Sequence, residues 1–392
     1  MRILFTWEIG QRTGHLNTIK SFIDWALKSN HEVYLAAKEL NNIYKFFPFG
    51  SINLIQSPQL TRGPKREIAI SWNELMLLRY SDTEELLAIM DTWNVIFDQV
   101  KPDLVVFEAS PSALFASIGK NFKKWTLGTP LFMPRHDINF FGQYPDPRLQ
   151  DIEKFTQRLI ISEKKLLVNI NKCLNRLSKP LVQNSHEIFK QCDREILPYP
   201  PQFDYFHPRI NGDFIGCAPV PSYSSNVNWP KHYKYKIFCY LQPFKSIKKF
   251  LSRMQEDGLN SVVYCPEFTK NDKEQLSKHS FLDNAVNMNS LLKEADLVIH
   301  MGGIQTATKA LYHEIPQVII VKGREQEFTA RSSVSLGPTL MVKTFCSDEY
   351  LNKIITHIPK LINQRKFKKG LEKKYIDGSL AIKKSKLYIE NI

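Results

Sequence analysis

The chain has 392 residues, more than a single hydrophobic core ordinarily serves, so at least two domains are expected. With 43% hydrophobic residues and a mean hydropathy of −0.29 it reads as globular; no run approaches the roughly 18 apolar residues of a membrane span, and the first ten residues lack a signal-peptide layout, so the cytosol is the expected place. The formal charge of +14 suits anionic partners, but no basic stretch carries the aromatic interleaving that reads bases, which argues against nucleic acid.

In chain order, residues 2–6 form a short apolar run that predicts a buried strand. Gly10 and Gly14 bracket a loop, and Leu16, Ile19, Phe22, Ile23 and Ala26 lie on one face of a helix ending before Asn30. Residues 32–37 and 52–55 read as the next strands. An amphipathic helix near 83–100 carries Leu86, Leu87, Met90, Trp93, Ile96, Phe97 and Val100 as its core face. A strand at 103–107 follows and delivers Glu108 to its carboxyl end. Proline, serine, asparagine and tyrosine accumulate between Pro198 and Pro230, which marks a linker.

A second series begins with strands at 237–241 and 261–265. Its most informative stretch, 295–331, reads as strand, glycine turn, helix, strand and acidic loop. Residues 297–299 are an apolar strand, Gly302 and Gly303 make the turn, and 306–312 is a helix with Ala307, Ala310 and Leu311 at helical spacing. The first turn of such a helix points unpaired N–H groups at an anion, and the strand at 317–321 brings Glu325 and Gln326 to the same carboxyl edge. The six cysteines, Cys173, Cys192, Cys217, Cys239, Cys265 and Cys346, have no metal-like spacing and are expected as reduced thiols.

The same stretch resembles the donor motif of the nucleotide-sugar-dependent glycosyltransferases of GT-B fold, in particular their bacterial macrolide and flavonoid, UDP-glycosyltransferase-like branch. Ala295, Asp296, Gly302, Gly303, Thr306, Ala310, Leu311, Pro316, Gln317, Glu325, Gln326, Thr329 and Ala330 stand in register with it. Met301 replaces the family's diphosphate-contacting histidine, and Gln305 replaces a glycine. The resemblance extends to the opening GQRTGHLNTIKSFIDWALKSNHEVYLAA, where Thr18 stands for a proline, to PDLVVFEASPSALFAS, and to KIFCYLQPFKS, where the family's donor domain opens.

The resemblance implies two Rossmann-like domains facing across a cleft: an acceptor domain over 1–220, a donor domain over 225–365, and a basic C-terminal helix over 366–392 that can pack back on the first domain. It implies hexosyl transfer from a UDP- or dTDP-sugar, the donor being a substrate, with inversion and without cofactor or metal. The acceptor would be a hydroxyl-bearing small molecule or lipid. His15 falls on the general base and Glu108 on the acidic residue that orients it. The donor site would comprise His300, Gly302, Gly303, Gln305, Thr306, Glu325 and Gln326, with His300 or the Thr306 and Thr308 hydroxyls substituting for the missing histidine.

Histidine suits the base because its pKa lies near neutrality, and a neighbouring carboxylate fixes its tautomer. Phe132, Met133, Arg135, His136, Phe140, Phe141 and Tyr144 are candidates to line an acceptor site. Lysines at 366, 368, 369, 373, 374, 383, 384 and 386 suggest a peripheral contact with anionic lipid at the inner membrane face. The alternatives are a degenerate nucleotide-sugar-binding protein, or an epimerase or hydrolase sharing the fold.

Overall fold

The computed structural model describes residues 1–10, 14–41, 43–61, 69–135, 142–144, 152–206, 209, 212–219, 227–284, 286–344, 347–364 and 366–392. The chain divides into two units: Met1–Pro219 with Asp377–Ile392, and Val220–Ile376.

The first unit runs β1 (Arg2–Trp7), α1 (Gly14–Lys28), β2 (Glu32–Ala37), β3 (Asn53–Gln56), α2 (Trp72–Arg79), α3 (Thr83–Val100), β4 (Leu104–Glu108), α4 (Pro111–Ala116), β5 (Lys123–Leu127), α5 (Ile152–Arg176), α6 (Ser185–Lys190), β6 (Arg194–Leu197) and β7 (Asp213–Phe214). Its parallel sheet has the order β3-β2-β1-β4-β5-β6-β7. Strands covered by helices on both faces need apolar side chains on both, and β1 and β4 are accordingly buried at nearly every position. Helix α3 starts where the Asp82 carboxylate accepts from the Glu84 and Glu85 amides, and stops where Lys101 turns left-handed at φ 49°.

The second unit runs β8 (Ile237–Tyr240), α7 (Ile247–Glu256), β9 (Ser261–Tyr264), α8 (Lys270–Gln275), β10 (Ser280–Phe281), α9 (Met288–Leu292), β11 (Leu297–His300), α10 (Ile304–Tyr312), β12 (Gln317–Val321), α11 (Arg324–Leu336), β13 (Thr339–Lys343) and α12 (Asp348–Ile362). Its sheet, also parallel, has the order β10-β9-β8-β11-β12-β13. Ile237, Phe250, Ile299 and Ile358 anchor the core on one face, and Phe238, Leu292, Val298 and Ala310 that on the other. In each unit the strand order reverses once, at β1/β4 and at β8/β11, and crevices outside the carboxyl ends of such strand pairs are where open α/β sheets bind ligands.

The C-terminal segment departs from a single helix over 366–392. Residues 366–376 belong to the second unit, with one 3₁₀ turn at Lys373–Tyr375, and α13 (Ser379–Glu390) begins after Gly378 and belongs to the first. It packs on α1, burying Ala381, Tyr388 and Ile389 in the core around β1. The Tyr388 hydroxyl donates to both Asp213 carboxylate oxygens at 2.6 and 2.7 Å, and Lys384 pairs with the same carboxylate at 2.6 Å. A chain truncated after Ile376 is expected to lose about 3–6 kcal/mol, the burial of Tyr388 and Ile389 together. Thermal unfolding of the truncated chain at a wild-type midpoint would contradict that role for α13.

Candidate active site

Parallel pairing of β1 with β4 sets Trp7 opposite Glu108 at the carboxyl ends of both strands. His15, the second residue of α1, reaches the same place: its Nδ1 lies 2.8 Å from each Glu108 carboxylate oxygen. The carboxylate is 2% exposed and the imidazole 17%, so the pair is shielded from solvent on the glutamate side and accessible on the histidine side. An ionised carboxylate only accepts, so Nδ1 carries the proton and Nε2 is left as the basic nitrogen. The extra methylene of glutamate is thus accommodated in the hydrogen bond.

Two neighbours fix the ring plane. The Trp7 indole stacks on it with centroids 5.2 Å apart and planes 22° apart, and is itself held by Nε1 donating to the Ile9 carbonyl at 2.8 Å. Gly10, at φ 95°, has no side chain where one would stand: a Cβ there would lie 1.8 Å from His15 Nε2. On the other side Ala109 takes a left-handed φ of 45°, which costs an alanine roughly 1–2 kcal/mol, and its carbonyl accepts from the Ile9 amide at 3.0 Å. That strained residue directly follows the carboxylate and ties the two loops together.

A second buried carboxylate lies next along β1. Glu8, 3% exposed, accepts from the Tyr80 hydroxyl at 2.6 Å, from Trp93 Nε1 at 3.2 Å and from the Ser112 amide at 2.9 Å, as well as from the Ser112 hydroxyl. Burial, then the Glu8 charge, pushes the Tyr80 hydroxyl well above its ordinary pKa. Glu8 is thereby consumed in locking α2, α3 and α4 behind the site. The sequence reading missed Trp7, Glu8 and Gly10 as parts of this arrangement; the usable signal was that all three fall just before or after the end of a strand at a sheet's switch point.

Of the acceptor candidates, Phe132 and Met133 line a narrow apolar pocket with Phe107, Ala109, Ser110 and Trp72, beside the residues that follow Glu108. Tyr144 is fully buried against Phe206, and Arg135 donates to the Phe206 carbonyl at 3.2 Å, so both brace the loop. His136, Phe140, Phe141 and Cys346 lie outside the described residues.

In the second unit the turn after β11 holds Gly302 at φ 73° against α11: a Cβ on it would come within 2.9 Å of Gln326 Cβ and 3.1 Å of Gln326 Cα. Gly303 caps α10 without a side-chain bond and is exposed, and Gln305 and Thr306 are partly exposed in its first turn. Helix α10 therefore begins two residues earlier than its apolar spacing suggests. Glu325 and Gln326, expected on a loop, are instead in the first turn of α11, both partly exposed. Glycine at 302 lets these two helix starts approach, so amide N–H groups and acidic or amide side chains share one edge of the sheet.

Two expectations for the donor residues are corrected. His300 is completely buried: Nδ1 accepts from the Gly302 amide at 3.2 Å and Nε2 donates to Gln317 Oε1 at 2.8 Å, so both ring nitrogens are used inside the unit and neither faces a ligand. Burial lowers its pKa to about 4, which keeps the ring neutral. Thr308 is buried and its hydroxyl turns back to the Gln305 carbonyl at 3.1 Å. Met301 packs on the apolar cluster formed with β8 and α7. Among the described residues no group of three or more His, Cys, Asp or Glu is arranged to hold a metal ion.

No protein-family model matches this sequence, and no curated protein is significantly similar to it. Solved structures are similar along the whole chain. The glycosyltransferase of kitacinnamycin superposes with a TM-score of 0.63 at 11% identity, over 99% of this chain and 94% of that one. The calicheamicin glycosyltransferase CalG4 gives 0.62 at 12%, over 99% and 94%. The spinosyn rhamnosyltransferase SpnG complexed with thymidine diphosphate gives 0.57 at 14%, over 99% and 96%. At such identities the likeness establishes the fold: two Rossmann-like units of the GT-B class.

Gly10→Ala is expected to displace the His15 ring, since the added methyl meets Nε2 and the positive φ strains any L-residue. Imidazole ¹⁵N shifts in NMR spectra report it; wild-type shifts in the variant would refute the steric argument. His300 makes the second unit's stability pH-dependent. Its folded pKa of about 4 is below the reference 6.5, so the contribution is complete above about pH 6.5. It is lost as pH falls towards 4, by about 3 kcal/mol in total. Urea unfolding at pH 7 and 4.5 should show a smaller pH difference for His300→Gln than for wild type.

Proposed function

We propose that the protein is an inverting glycosyltransferase that moves a hexose from a nucleoside diphosphate donor to a hydroxyl-bearing acceptor. The observation that carries this reading is the His15–Glu108 pair at the β1/β4 switch point. Attack of an acceptor oxygen on the anomeric carbon breaks the bond to the diphosphate and requires the hydroxyl proton to leave as the new bond forms. His15 Nε2 takes that proton while Nδ1–H stays on Glu108, whose charge stabilises the imidazolium; Trp7 keeps the ring in plane. A well-placed base of this kind contributes about 10²–10⁴-fold.

The diphosphate, as leaving group, would be held by the amides at the start of α10, with Gly302 and Gly303 allowing close approach and Thr306 and Gln305 adding side-chain contacts. Glu325 and Gln326 would hydrogen-bond the sugar hydroxyls. This arrangement supplies positive potential from backbone dipoles, so the proposal includes no metal. The thymidine diphosphate held by the spinosyn enzyme supports a dTDP- or UDP-sugar as donor.

A second reading, a non-catalytic nucleotide-sugar binder, is favoured by one observation: neither Met301, packed on the core, nor His300, buried, presents an imidazole to a diphosphate. A charge-assisted hydrogen bond contributes roughly 1.5–3 kcal/mol, so its loss weakens binding by about one to two orders of magnitude without removing it.

Isothermal titration with UDP and dTDP, followed by transfer assays, separates the readings. His15→Ala is expected to cut transfer about 10²–10⁴-fold while leaving diphosphate affinity nearly unchanged, with a smaller loss for Glu108→Gln. Thr306→Val should weaken the diphosphate alone. Wild-type turnover in His15→Ala would sink the assignment of the base, and diphosphate binding without transfer to any acceptor would favour the binder.

A further inference from the structure

Helix α5 has two apolar sides. Leu159, Leu166, Ile170, Cys173 and Leu174 face inward and are buried, with α2 and α3 packed against the helix. The outward side carries Ile160, Ile161 and Val168 at 52, 49 and 45% exposure, and Leu181 in the following segment at 51%. Of these, Ile160 and Val168 line a shallow groove of about 650 Å³ together with Leu167, Lys164, Lys172, Val182 and Glu163. Contiguous exposed aliphatic groups on one helix face mark an interaction surface more than scattered single ones do.

Charge identifies what the surface fits. Lys164, Lys165 and Lys172 are exposed between and beside those aliphatic residues, and none has a carboxylate partner among the described residues. On the same helix or packed against it, Glu163, which lines the groove, accepts from the Ser185 amide at 3.0 Å, Glu74 pairs with Arg158 and Glu84 with Arg176. A helix lying in a membrane interface needs this combination, with aliphatic side chains entering the acyl boundary and lysine stems reaching up to anionic headgroups. A second copy is a poor occupant, because a two-fold interface would set the same lysines against each other.

Helix α13 also exposes Ile382 and Leu387, but its lysines are largely engaged: Lys384 pairs with Asp213 and Lys386 lies near Glu390 and over the Trp25 ring, while in the preceding turn Lys374 pairs with Glu372.

We infer that the outward face of α5, with Leu181, docks the first unit onto an anionic lipid surface. This does not rest on the transfer reading, since it concerns a different face and a different ligand.

Full-length protein is sedimented with vesicles of phosphatidylcholine alone or mixed equally with phosphatidylglycerol, at low and high salt. Binding is expected on the anionic vesicles only and to weaken with salt. A Lys164→Glu, Lys165→Glu, Lys172→Glu variant should lose at least ~100-fold in partitioning, at about fivefold per lysine. Ile160→Ser with Ile161→Ser should also release the protein, whereas Lys366→Glu, Lys368→Glu and Lys369→Glu together should matter less than the α5 triple change. Unchanged circular dichroism melts establish that the variants fold. The inference is overturned by equal binding to both vesicles or to neither, or by loss of binding only in the 366–369 variant. It is also overturned by retention on polyglutamate without vesicle binding, which would indicate an acidic protein partner, or by a soluble dimer that Ile161→Ser disperses.

Discussion

The parallel register of β1 against β4 is the constraint from which the candidate active site follows. It pairs Trp7 with Glu108 across one rung, at the point where the strand order turns back. Gly10, at φ 95°, leaves open the space a Cβ would take beside the ring, so His15 in the first turn of α1 meets both residues. Slide the register by one residue and the side chains exchange faces. Stacking partner and carboxylate would no longer converge on one imidazole. Behind this rung Glu8 makes the position rigid, since its hydrogen bonds bind three helices to the end of β1.

How much of this was legible depended on whether a residue's signal was local. The strands at 32–37 and 317–321 and the helix at 83–100 match the structure because apolar period and caps lie within each segment. The pairing of His15 with Glu108, 93 residues apart, was anticipated through a family resemblance and then found at 2.8 Å. Trp7 and Glu8 were opaque, because their partners come from elements that only the tertiary fold assembles. The 25-residue α5 was not read at all: aliphatic residues inside and outside, with lysines among them, blur the single apolar stripe by which a surface helix is recognised.

The glycine turn after β11 was legible, but the placement of His300 beside it was not. Sequence order places His300 next to the glycines, yet β11 is covered on both faces and buried at each of its positions, so the side chain of its last residue lies inside the unit whichever face it takes. There it serves as a bracket: the Gly302 amide donates to one ring nitrogen and Gln317 accepts from the other, which holds the turn on β12. Desolvation favours the neutral ring, and only a ring with unprotonated Nδ1 can accept the Gly302 N–H bond. The histidine thus contributes to the shape of the turn, and Met301 beside it to the core.

That division of labour bears on how the fold persists at 11–14% identity to the solved glycosyltransferases. A diphosphate held at helix starts is held chiefly by amides, and amides survive any substitution that leaves the backbone path intact. What must be kept is steric: no Cβ at Gly302, where α11 passes within 3.1 Å. An imidazole base offers no such freedom, because no backbone group can replace a nitrogen that gains and loses a proton near neutral pH. In this chain the imidazole of the first unit stands partly exposed with a carboxylate bonded to it, whereas in the second unit position 301 is a methionine packed on the core and His300 is buried.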